Sequence, residues 1–216
     1  MAVVPRHIDS EGLKAENLDV CLPVVVAPYV ASAAGNIFTT QTFASAVNTT
    51  FDFGTQIDFP RNIQYRISVT GGTASNPFVS GTIIVRGSDA RNSAISETVA
   101  LSALGASSVA SQGVVKFNKL LGTAGISISG LLMHTASSSN SNSVTLSMGM
   151  GNVIGLPNPV GSVNPVKAIY EGTSQFTNYT FVSGPVGTAG VSITPTLGSG
   201  SNLVVVVQLN GQDFRG

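Results

Sequence analysis

Apolar and polar residues alternate with period two along much of the chain. The clearest case is Asn62-Ile63-Gln64-Tyr65-Arg66-Ile67-Ser68-Val69, where Ile63, Tyr65, Ile67 and Val69 fall on one face. Such alternation predicts a strand with one face in a core and the other toward solvent. Further strands are predicted over Phe78–Arg86, Val114–Phe117, Gly125–Leu132 and the alternating segment Val144–Gly151, and over Ile95–Leu101. Leu203–Leu209, with Val204 to Val207 in a row, is long enough for a buried strand and too short for a helix of its own. Turns are expected at Gly71-Gly72 and at Gly87-Ser88-Asp89-Ala90, and Ser137–Ser143 reads as an exposed polar loop. Nowhere does apolar spacing of three and four persist over eleven residues, and no fixed repeat period is present. The fold class predicted is all-β: an antiparallel β-sandwich, jelly-roll-like, over residues 23–216.

Residues 1–22 have a different character. They hold Arg6, Asp9, Glu11, Lys14, Glu16 and Asp19, with Val3, Val4, Ile8 and Leu13 between them and no sustained apolar stripe. This segment is expected to be an extended arm outside the sandwich, ordered by a neighbouring chain through those mixed polar and apolar side chains. From Leu22 to Thr50 the residues become small and apolar, with Pro23 and Pro28 keeping the chain extended.

Charge is the second distinctive feature. Only 9% of the 216 residues are Asp, Glu, Lys or Arg, against roughly 25% in ordinary domains. Ten acids balance ten bases, and between Thr98 and Gln212 the only full charges are Lys116, Lys119, Lys167 and Glu171. A zero net charge gives no global pull toward nucleic acid or an anionic membrane. An exterior of Ser, Thr, Asn and Gly suits a protein packed against copies of itself or a scaffold, since a free monomer is usually kept soluble by mixed surface charge. The apolar run after Leu22 is far shorter than a membrane span requires, and Met1–Lys14 lacks the apolar run of a signal peptide. The single cysteine, Cys21, fits folding in a reducing cytoplasm.

Chemistry-bearing patterns are sparse. The two histidines, His7 and His134, stand in the arm and beside the polar loop, with no nucleophile turn to serve. Asp52 with Asp58, and Asp89 with Glu97, are the available carboxylate pairs, but the chain has no tryptophan for a sugar platform. One cysteine and two distant histidines do not make a zinc site. No catalytic residue, metal site or cofactor is expected, and Arg61, Arg66, Arg86 and Arg91 read as structural rather than nucleic-acid contacts. Arg61 and Glu97 are expected on neighbouring strands as a buried pair that fixes register. Pro60 suits a strand start, and Asp89 and Asn92 suit a turn closed by side-chain bonds to the backbone.

Between Asp58 and Phe117 these pieces fall in a particular order. Pro60-Arg61-Asn62 opens a strand; Gly81-Thr82-Ile83-Ile84-Val85 leads to Gly87-Ser88-Asp89-Ala90; Ser96-Glu97-Thr98 starts the next strand; Lys116-Phe117 follows a Gly-bearing loop; Gly155-Leu156-Pro157 comes later. The succession resembles a recurrent β module of tailed-bacteriophage virion proteins over about half the chain, with Ser88 where that pattern usually has Thr. The resemblance implies a structural protein of the virion, folded in the host cytoplasm before assembly. On this basis the expected role is a capsid cement or decoration protein that bridges capsomers, partnered by the major capsid protein or other virion proteins and self-associated as a homotrimer. A neck, tail or fibre component is the alternative within the virion, and a carbohydrate-binding adhesin module the alternative outside it.

Overall fold

The computed structural model describes residues 20–26, 33–43, 48–51, 55–70, 80–101, 110–121, 125–132, 143–157, 166–193 and 202–209. In chain order the strands are β1 (Val20–Val26), β2 (Ala33–Phe43), β3 (Thr49–Phe51), β4 (Arg61–Thr70), β5 (Ser80–Ser88), β6 (Ala94–Ala100), β7 (Ala110–Phe117) and β8 (Lys119–Leu120). They continue with β9 (Ile126–Leu132), β10 (Ser143–Gly155), β11 (Val166–Glu171), β12 (Ser174–Phe176), β13 (Tyr179–Val182), β14 (Gly190–Ile193) and β15 (Leu203–Leu209). Every pairing is antiparallel, and the described residues contain no α-helix. The all-β class read from period-two alternation is the fold observed.

The strands form three sheets. One has the order β1-β15-β11-β12; a second runs β13-β14-β10-β4-β7 with β2 also on β10; a third runs β3-β9-β5-β6 with β8 on the end of β5. Ile63, Tyr65 and Ile67 of β4 are fully buried, as their alternation requires. They meet Leu146, Met148 and Met150 of β10 and Phe117 of β7 on one side, and Ile83, Val85, Ile126 and Ile128 of β5 and β9 on the other. This first core therefore lies between the second and third sheets.

A second core gathers Ile154 of β10 and Val191 of β14 with Ile169 of β11 and Leu203, Val205 and Val207 of β15. Strand β10 reaches both cores. Its first half faces the first core, and after an irregularity between Met150 and Ile154 its end faces the second. The Val204–Val207 run is the middle of β15, flanked by β1 and β11. Among the described residues β1 pairs only with β15, and an edge strand of that kind accommodates Pro23, which has no N–H to give a second neighbour.

Of the arm, residues 1–19 lie outside the described residues, and Val20, Cys21 and Leu22 open β1 opposite Leu209, Gln208 and Val207. His134 and most of the Ser137–Ser143 loop also lie outside them, with Ser143 beginning β10. The turn expected at Gly87–Ala90 falls slightly later. Strand β5 continues through Ser88, and the chain reverses around Ala90–Asn92, where Asn92 takes a positive φ of 63°.

Candidate functional site

Five polar or charged side chains are buried among the described residues: Arg61, Asn62, Asp89, Glu97 and Lys116. Each belongs to one of the short segments singled out in the sequence between Pro60 and Phe117. The structure brings four of them together around two irregularities on either side of β4. On the β7 side Asn62 pairs with Lys116 and Gln64 with Gln112, so β7 places Gly113, Val114 and Val115 against Ile63 alone. On the β10 side Met150 pairs with Ile63 and Ile154 with Arg61, so Gly151, Asn152 and Val153 lie opposite Asn62. Extra residues of this kind lose their ladder partners, and a buried backbone group left without one costs about 1–3 kcal/mol.

The buried side chains supply the missing partners. Asn62 Nδ2 donates to the Gly113 carbonyl at 3.1 Å, while its Oδ1 accepts the Val153 N–H at 2.9 Å. One carboxamide thus serves both irregular strands at once. Glu97 Oε1 accepts the Val114 and Val115 N–H groups at 2.6 and 3.2 Å, and Oε2 accepts the Tyr65 hydroxyl at 2.7 Å. Lys116 Nζ donates to the Val114 carbonyl at 2.5 Å and to the Thr188 carbonyl at 2.7 Å. Its backbone N–H donates to the Gly187 carbonyl at 2.7 Å. Lys116 therefore ties β7 to the turn that leads into β14 and the second core.

Arg61 completes the arrangement. Its Nε donates to the Gly151 carbonyl at 2.8 Å, its guanidinium pairs with Asp58 at 3.0 Å, and it lies 4.8 Å over the Phe59 ring. This corrects the expected Arg61–Glu97 pair. The carboxylate partner of Arg61 is Asp58, three residues earlier, and Glu97 is engaged by Tyr65 and the backbone of β7. The two residues are not sheet neighbours: β4 belongs to the second sheet and β6 to the third. Glu97 links the edges of those two sheets instead.

Two glycines make room for the network. A Cβ on Gly151 would stand 2.1 Å from Asn62 Oδ1, and one on Gly113 would stand 2.5 Å from Glu97 Oε2. Neither partner can swing away, because each is held by the bonds above. Asp89 does separate work. Its Oδ1 accepts the Arg91 and Ser93 N–H groups at 2.8 and 2.9 Å, which closes the β5–β6 turn as its residue type predicts.

Two further arginines among the described residues donate to neutral oxygens. Arg86 donates to Ser127 Oγ at 3.1 Å and Arg91 to the Pro157 carbonyl at 2.8 Å, while Arg66 is exposed. Val3, Val4, Arg6, Ile8, Leu13, His7 and Asp52 lie outside the described residues. Sequence reasoning placed Asn62 and Lys116 in the motif segments without giving them a role. By alternation both fall on the face opposite Ile63 and Phe117, so the local pattern did not mark them as buried. Comparison of the chain with protein-family models, curated proteins and solved structures found no match.

The electrostatics follow from burial. Tyr65 is held well above the ordinary phenol value, first by burial and then by the Glu97 carboxylate beside it and their hydrogen bond. Burial lowers the Lys116 ammonium from its ordinary value, with Glu97 opposing part of the shift. The two act oppositely at alkaline pH. For Tyr65 the folded value exceeds the unfolded one, so its contribution is complete below pH about 10 and is lost as pH rises above it. For Lys116 the folded value lies below the unfolded one, so stability is gained as pH climbs toward the ordinary lysine value. Urea midpoints of the wild type should therefore fall above pH about 10 more steeply than those of Tyr65→Phe. Equal alkaline slopes for the two proteins would show that the fold does not oppose ionisation of the phenol.

Proposed function

We propose that this chain is a structural protein of the tailed-bacteriophage virion, a capsid cement or decoration protein that bridges neighbouring capsomers as a homo-oligomer. The observation that carries this reading is the use made of the motif segments. Arg61, Asn62, Glu97 and Lys116, taken from segments up to 55 positions apart in the sequence, all satisfy the backbone of two irregular strands. A recurrent β module reused across assembly proteins needs a framework that survives wide change at its surface, and these side chains supply that framework from within. The sparse charge of the chain supports the same reading, since a surface covered in the assembled state does not need charge for solubility. Many copies, each making a modest contact, would reinforce a shell through multivalency.

The test is the protein composition of purified particles produced by the genome that encodes this chain. The chain is expected as a stoichiometric component of the head. Its absence from intact particles would overturn the proposal.

A further inference from the structure

The outer face of the third sheet has an unbalanced composition. Ile83, Val85, Ile126 and Ile128 point into the first core, so the alternate residues of β5 and β9 point outward. One row across the sheet reads Thr50, Ser127, Ile84 and Thr98. In the next row the Thr82 and Ser129 hydroxyls are 2.9 Å apart. Leu120 turns into the core beside Gly87, and Leu121 follows it outward, 52% exposed, with its N–H on the Arg86 carbonyl. Lys119, opposite Ser88, is exposed as well.

Among the described residues, charge on this face has one sign. The described residues of the face include Arg86 and Lys119 and no carboxylate, because Glu97, the acid on β6, is turned inward onto β7. The chain as a whole is neutral. Ser127 holds the Arg86 guanidinium along the sheet between β5 and β9. The face is therefore rich in hydroxyls, cationic on one side, and apolar where Leu121 and Ile84 lie.

We infer that this face docks the protein onto a carboxylate-bearing protein surface, with the partner's acids meeting Arg86 and Lys119 and its apolar side chains covering Leu121 and Ile84. The inference rests on the virion reading and adds which face meets the shell. Apolar side chains set beside cations and hydroxyls are ordinary components of protein–protein contacts. A nucleic acid is a poorer fit, since two cations release few counterions and Leu121 has nothing to meet on a phosphate backbone. Size points to a repeated partner. Four strands about 4.8 Å apart and seven residues at about 3.3 Å each give about 400 Å². That is about half of the roughly 800 Å² per partner in a stable binary complex. Stable attachment then requires several copies on a lattice at once.

The experiment supplies wild-type protein or a variant during particle assembly and counts the copies retained per particle. Lys119→Glu combined with Leu121→Asp should reduce retention at least tenfold. Both positions are exposed, so its urea midpoint should match the wild type. Arg86→Gln, which removes a charge without adding one, should give a smaller reduction that shrinks as salt rises, because salt screens the attraction the wild type gains from Arg86. Ser174→Glu, on β12 of the first sheet, should be retained like the wild type. Wild-type retention of the double variant and of Arg86→Gln would overturn this docking face while leaving the virion reading intact. So would binding of wild-type protein to double-stranded DNA that the double variant loses. Absence of the wild type itself from particles would overturn both.

Discussion

Glu97→Ala should lower the unfolding free energy by about 3–5 kcal/mol, among the largest effects of any single truncation in this protein. The carboxylate accepts three hydrogen bonds, from the Tyr65 hydroxyl and the Val114 and Val115 N–H groups. Alanine leaves all three donors without that partner, inside or at the edge of the first core. Glu97→Gln keeps one acceptor oxygen for the β7 backbone, and its amide can donate to the tyrosine oxygen. Its cost should be nearer about 1 kcal/mol. Urea denaturation of the two variants separates them. An alanine variant no less stable than the glutamine variant would mean that Glu97 does not hold the two sheet edges together.

Asn62→Leu is expected to cost about 2–4 kcal/mol through two unsatisfied groups, the Gly113 carbonyl and the Val153 N–H. Asn62→Asp should be at least as damaging. It keeps the acceptor for Val153, but it turns a second acceptor toward the Gly113 carbonyl and places a charge at a fully buried site. These outcomes run against hydrophobicity scales, on which leucine at a buried strand position would be favourable. Unfolding midpoints for both variants check the expectation. A stable Asn62→Leu protein would show that β7 and β10 can satisfy their irregular segments without the carboxamide.

Much of the fold was legible because alternation is a local signal. Strand β4 declares itself through Ile63, Tyr65 and Ile67, and β15 through its valines. The strands missed are those whose pairing comes from elsewhere in the chain. Ala33–Phe43 mixes Ala, Asn, Thr and Gln with Ile37, Phe38 and Phe43 without a period of two, and it is a strand because β10 lies beside it. Strands β11 to β14 are three to six residues long, too short for a period to emerge. The end of β10 beyond Gly151 was hidden because Gly151 and Gly155 interrupt the apolar pattern where the strand passes from one core to the other.

The site was half legible. Arg61, Asp89 and Glu97 stood out as charges within strand-forming sequence, and all three are buried. Asp89 found the turn bonds expected of it, but the partners of Arg61 and Glu97 did not follow, because sequence proximity was taken for sheet adjacency. Arg61 finds Asp58 just before its own strand, and Glu97 reaches backbone N–H groups that only an irregular β7 exposes. An irregularity opposite Asn62 on each side has no signature in the local pattern. Gly113 and Gly151 mark the places, but glycine is too frequent in this chain, at 24 residues, for those two to be singled out.

The most direct test of the proposed cement role is the copy number of the chain in purified, DNA-filled particles, set against the major capsid protein by quantitative mass spectrometry. A cement protein engaging every capsomer is predicted to be present on the order of hundreds of copies, in fixed proportion to the shell and following its symmetry. About a dozen copies or fewer per particle, the count set by a single vertex or a tail ring, would contradict the cement role.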